Sequence, residues 1–124
     1  MGGRGAWSYV SREIVNRKKV IIRRSRISDY LLNPLKSKGK AEFLRKLGYN
    51  MKNQARLQRD LRDGLKANQA RVSEPNKYGT VHIQVNMQIG IDRKASVVTG
   101  WIIRKGNSVP ELSTVRPLKS RDRF

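Results

Sequence analysis

The only histidine of the chain, His82, falls in its most regular stretch. From Thr80 to Ile89 the residues alternate without a break. Val81, Ile83, Val85, Met87 and Ile89 lie on one side, and Thr80, His82, Gln84, Asn86 and Gln88 on the other. This is the pattern of a half-buried antiparallel strand. An imidazole on its polar face can take or give a proton near neutral pH; the plainer reading is an exposed strand histidine. Around it stand 28 Lys and Arg against 9 Asp and Glu, a net charge of +19. That charge works against folding by self-repulsion and attracts polyanions over long range. Nucleic acid is the commonest polyanion; an anionic membrane and an acidic protein are the other candidates.

Several kinds of chemistry are excluded or made unattractive. With no cysteine there is no disulfide, thiolate nucleophile or zinc finger, and with one histidine no site built on two. Glu13, Asp29, Glu42, Asp60, Asp63, Glu74, Asp92, Glu111 and Asp122 are scattered, and none sits at ligand spacing from His82. A metal nuclease needs several carboxylates together, so neither a metal site nor a cofactor is expected. No Walker loop, dinucleotide-binding glycine pattern or Gly-x-Ser-x-Gly elbow is present. RNA, however, can be cut without a metal. Its 2′-hydroxyl attacks the neighbouring phosphate, and the protein must orient that hydroxyl, stabilise the phosphorane's charge and help the 5′-oxygen leave. Cations, hydroxyls and one histidine are enough.

The cations form groups. Lys36, Lys38 and Lys40 precede a helix, where phosphates meet both ammonium groups and a helix N-terminus; alternatively they belong to a solvated loop. Arg45 lies within that helix. Arg56, Arg59, Arg62 and Lys66 stripe the next helix, as a phosphate track or simply a wet face. On the later strands stand Thr99, Trp101, Arg104 and Thr114. Trp101 reads as core more readily than as a stacking platform, and Thr114 also suits a plain strand filler.

These residues need elements to hold them. Ser8 is placed to cap a helix through Asn16, after a Gly-rich start. Residues 17–26 read as a short strand or extended basic segment around Val20 to Ile22. Pro34 stops a short turn, and 36–40 form a basic loop. Phe43, Leu44 and Leu47 mark a helix over Lys40 to Leu47, with Gly48 at its C-terminal cap. Asn53 caps a helix over Gln54 to Asn68, in which Leu57, Leu61 and Leu65 form one stripe. Ser73 to Lys77 is a loop. Strands follow over 80–89, 95–104 and 111–115, then a loose charged tail, 119–124. The domain is 17–118, and 1–16 is a flexible or helical extension. Helices first and a meander afterwards predict an α+β fold, with N-terminal helices packed on a small C-terminal antiparallel sheet. No apolar run approaches the length of a membrane span, and the opening residues lead us to expect no signal peptide.

Three runs carry a resemblance. They are Asp29-Tyr30-Leu31-Leu32-Asn33-Pro34, then Lys38-Gly39-Lys40-Ala41 with Phe43 and Leu47-Gly48-Tyr49, and last Val97 to Ile103 with Pro110 to Thr114 and Pro117. Across about residues 27–117 the chain resembles an uncharacterised family of small domains found at the ends of bacterial polymorphic toxins and in phage-borne proteins. That family in turn is similar to the barnase–EndoU–colicin–RelE group of metal-independent ribonuclease toxins, whose active site lies on the sheet's open face. The resemblance implies an RNA-cleaving toxin, with tRNA the favoured target, acting in the cytoplasm of a target cell and checked by an acidic immunity protein or antitoxin. It carries Lys40, Thr99 and Thr114 over to the family's pattern. The Lys-Ala step is compressed here, which leaves Lys38 and Lys40 as alternatives. His82 and Arg104 are added from chemistry: His82 as acid or base, Lys40 and Arg104 for charge stabilisation, Thr99 and Thr114 for orientation. Lys36, Lys38, Arg45, Arg56, Arg59, Arg62 and Lys66 would grip phosphates. The alternative is a non-catalytic nucleic-acid-binding protein using the same basic surface; a ligand for anionic membranes fits less well.

Overall fold

Leu57, Leu61 and Leu65 are fully buried, as their spacing demands, and they set helix α3 (Gln54–Ala67) against a sheet. The computed structural model describes residues 7–11 and 19–124. Five antiparallel strands neighbour one another in chain order: β1 (Trp7–Ser11), β2 (Ala70–Ser73), β3 (Val81–Ile89), β4 (Ala95–Ile103) and β5 (Glu111–Pro117). The fold is α+β. Gly64 lets α3 approach β3 closely, since a Cβ there would lie 2.3 Å from Met87 Sδ. Val85, Met87 and Ile89 are buried on this helix-facing side, while His82 and Gln88 are exposed on the other. The two faces read from the sequence are therefore present, although Gln84 on the polar face is itself buried, at 6% exposure.

A single wide helical turn, Arg26–Leu31, leads into α1 (Pro34–Ser37) and α2 (Gly39–Lys46). The 36–40 loop expected from the sequence is thus mostly helical. Asn33 caps α1 by accepting from the Leu35 amide at 2.9 Å, and Lys38, at φ 50°, is the joint between the two helices. Gly48 ends α2 with φ 105°, where the C-terminal cap was expected. The Leu47 carbonyl then accepts from the amides of Ile91 and Asp92, which docks the β3–β4 turn on the end of α2.

Two further expectations are corrected, and one strand is added. Residues Trp7–Ser11 form an edge strand, not a helix, with Tyr9 opposite Val72 and Val10 opposite Arg71; residues 1–6 and 12–18 lie outside the described residues. Strand β2 went unread because four residues are too few to show a period. The 119–124 tail is not loose: it folds back across the sheet, as described below. Between the helices and β5, Ile21 bridges Glu111, with Ile21 N donating to the Pro110 carbonyl at 2.8 Å.

Candidate functional site

The sheet face turned away from the helices carries a groove of about 490 Å³. Pairing registers decide what lines it. Gln84 lies opposite Gly100, and Gly100 opposite Thr114; one step along, Asn86, Val98 and Arg116 form the next row. His82, Asn76, Gly100, Ser113, Thr114 and Arg116 border the groove, with Val98 and Ile102 adding aliphatic surface. Gly100 keeps it open, since a Cβ there would stand 3.1 Å from Thr114 Cγ2. A glycine inside an apolar strand was the available signal for such a close approach.

One cation is built into the rim. Lys40 Nζ donates to Tyr30 Oη and to Thr114 Oγ1, both at 3.1 Å. It also lies 5.3 Å from the Tyr30 ring centroid, and Arg26 stands 5.1 Å from the same ring. An ammonium has three N–H bonds; these contacts use two and fix the group's position, leaving one for a ligand. The choice between Lys38 and Lys40 thereby gains a geometry. Lys40 is the lysine beside Thr114, whereas Lys38 lines a separate hollow of about 430 Å³ with Arg45. Tyr30, the partner that places Lys40, was not singled out for chemistry from the sequence, although it sits inside the Tyr-Leu-Leu-Asn-Pro run.

The rest of the open face is occupied by the chain's own C-terminus. Arg116 holds Asp122 through two bonds of 2.8 Å, and the Lys119 amide adds a third at 2.8 Å. The Asp122 carbonyl accepts from Gln84 Nε2 at 3.0 Å and Asn86 Nδ2 at 2.8 Å. Gln84 in turn accepts from Arg71, whose guanidinium lies 4.9 Å from the Phe124 ring centroid. The Arg116 bonds hold the Asp122 carboxyl well below the usual carboxylate range, outweighing the opposing effect of burial. A carboxyl depressed in the folded state adds stability above its unfolded pKa, about 3.9, and loses it as pH falls from there toward the folded value. The protection factors of the Leu118 and Asp122 amides, taken against the intrinsic exchange rate at each pH, should therefore fall on acidification below about pH 4, and the Asp122→Asn variant should show much less of that pH dependence.

The remaining candidates are placed elsewhere. Thr99 faces the core and not the groove. It is fully buried, donates to the Val85 carbonyl at 2.8 Å and accepts from Trp101 Nε1 at 2.8 Å. Trp101, 1% exposed, is core, as expected. Arg104 follows the end of β4 and pairs with Glu111 at 3.8 Å, which Arg23 also holds at 3.1 Å. The α3 cations are on the helix layer, across the sheet from the groove. Arg56 pairs with Asp60 at 3.1 Å, with Arg59 3.7 Å from the same carboxylate. Arg62 donates to the Val20 carbonyl at 2.9 Å, and Lys66 stands 4.0 Å from Asp63. Lys36 is exposed on α1. His82 is exposed, with its backbone amide bonded to Ser73 Oγ at 2.9 Å. Tyr49 is fully buried, and burial together with its bond to Asp60 raises its ionisation well above the ordinary tyrosine range.

Among the described residues no three His, Cys, Asp or Glu side chains gather where they could hold a metal ion. Among them, too, no helix is long and apolar enough to cross a membrane. No curated protein and no solved structure matches the chain. A family model does match, over residues 13–119, which takes in all three motif runs, the Lys40–Thr114 contact and His82. The chain belongs to the family described as a domain of unknown function, DUF6883.

Proposed function

We propose that the protein is an RNA-binding endoribonuclease that works without a metal, by attack of the 2′-hydroxyl to leave a 2′,3′-cyclic phosphate. The observation that carries this reading is a single groove bordered by both His82 and Thr114, with Lys40 Nζ bonded to the Thr114 hydroxyl. β3 and β5 are two strands apart, about 10 Å, with His82 two residues along β3 from Gln84, whose row holds Thr114, so the two side chains border opposite sides of the groove in which a phosphate would lie. Lys40 stabilises its developing charge. Thr114 positions an oxygen, and His82 moves a proton. Gly100 leaves room for the sugar or base. The net charge of +19 brings the RNA in. Thr99 and Arg104 have no part in this arrangement, given their core and Glu111 contacts. Transfer RNA is the substrate we favour, and an acidic immunity protein is the matching partner, as in ribonuclease toxins.

One observation favours a second reading, in which the same face only binds nucleic acid. Among the described residues no side chain bonds the His82 imidazole to orient it, whereas an acid or base usually has such a partner. Incubation with total tRNA in EDTA separates the two. Discrete fragments ending in cyclic phosphate are expected; intact RNA that shifts in a gel supports the binder. For both readings, affinity should drop by an order of magnitude or more between about 50 and 200 mM salt. Affinity that ignores salt would remove the nucleic-acid reading altogether.

A further inference from the structure

The donors on the open face converge on one residue. Two N–H groups of Arg116, the Lys119 amide and the side-chain amides of Gln84 and Asn86 all end on Asp122. Asp122 is 4% exposed. The planar fork that grips a carboxylate grips a phosphate equally well. Arg116 also borders the groove that holds His82 and Thr114. The segment bearing Asp122 is tied down almost wholly by polar contacts: Phe124 is 43% exposed, and Ser120, Arg121 and Arg123 are exposed. The family match ends at residue 119, just ahead of it.

We infer that Arg116, Gln84 and Asn86 form a phosphodiester subsite which the chain fills with its own Asp122, and that RNA must displace the 119–124 strap to occupy it. The inference rests on the RNA reading above and adds to it a second phosphate position and a gate. The gate follows from competition. The Asp122 carboxylate and backbone carbonyl offer the strap's acceptors, an incoming strand offers a series of phosphates, and the already exposed Arg121 and Arg123 move with the strap to meet that strand. The resting protein thus engages RNA through the His82 groove alone, and the full footprint forms only after the strap lifts.

The test uses the full chain and a 2′-O-methyl RNA oligonucleotide, which lacks the attacking hydroxyl and reports binding without cleavage. Asp122→Asn should bind it at least about fivefold more tightly than the parent. Combining it with Arg116→Gln should abolish that gain. Asp63→Asn, on the far side of the molecule, controls for the added positive charge; an equal gain there would overturn the inference. A second readout leaves Asp122 intact. Because the chain has no cysteine, a nitroxide on Phe124→Cys reports the strap alone. The label should become mobile on saturation with the oligonucleotide. A label that stays immobile at saturation, or no gain in Asp122→Asn with thermal stability retained, sinks the strap proposal while leaving the RNA reading intact. A parent that does not bind the oligonucleotide at all overturns both.

Discussion

In the His82→Ala variant, cleavage of tRNA should fall by about 10²- to 10⁴-fold while RNA binding changes less than about twofold. The asymmetry is the point. His82 is exposed and its side chain has no bonded partner among the described residues, so its removal should alter stability by no more than about 0.5 kcal/mol. The imidazole is a small part of a +19 surface, so electrostatic capture survives. A variant that cuts as fast as the parent removes His82 from the mechanism and shifts the weight to the binding reading. Lys40→Met makes the complementary case. It removes the charge positioned beside Thr114 and should lower the rate of cleavage by about 10²- to 10³-fold. Lys40→Arg should rescue little, because a guanidinium cannot reproduce the ammonium's bonds to both Tyr30 and Thr114.

Trp101→Ala should destabilise the fold by about 3–5 kcal/mol and lower Tm by about 10–20 °C. Trp101 is the largest fully buried side chain among the described residues, it lies opposite Leu112 on β5, and its indole N–H is satisfied by Thr99. The total stability of such a domain is about 5–15 kcal/mol, and self-repulsion from the net charge reduces it further. The loss should therefore leave the variant partly unfolded at low ionic strength, with partial recovery as added salt screens the repulsion. Thr99→Val is the companion. It strands a buried indole donor and should cost about 1–3 kcal/mol, with the rate of cleavage by the remaining folded protein unchanged. A Trp101→Ala protein as stable as the parent would contradict the packing. A Thr99→Val protein that is stable but inactive would return Thr99 to the site.

What the sequence determined by itself is what depends on neighbours along the chain. The two faces of β3 follow from strict alternation, the buried stripe of α3 from leucines one turn apart, and the end of α2 from the one residue type that readily adopts φ 105°. The attraction for polyanions follows from a simple count of charges. The tertiary structure decided what depends on pairing between distant segments. Lys40 meets Thr114 across 74 residues, and nothing local distinguishes it from Lys38. Thr99 and Thr114 look alike as strand threonines. The register that sets Gly100 opposite Thr114, with its irregularity beside Trp101, sends the first hydroxyl into the core and the second to the groove. The tail looked unattached because its charges suit water. Its position rests on the Asp122 carboxylate finding a guanidinium on β5 and the Asp122 carbonyl finding two side-chain amides on β3, contacts that exist only once the sheet has formed, since long-range contacts are made by closing the chain and leave no period in the sequence.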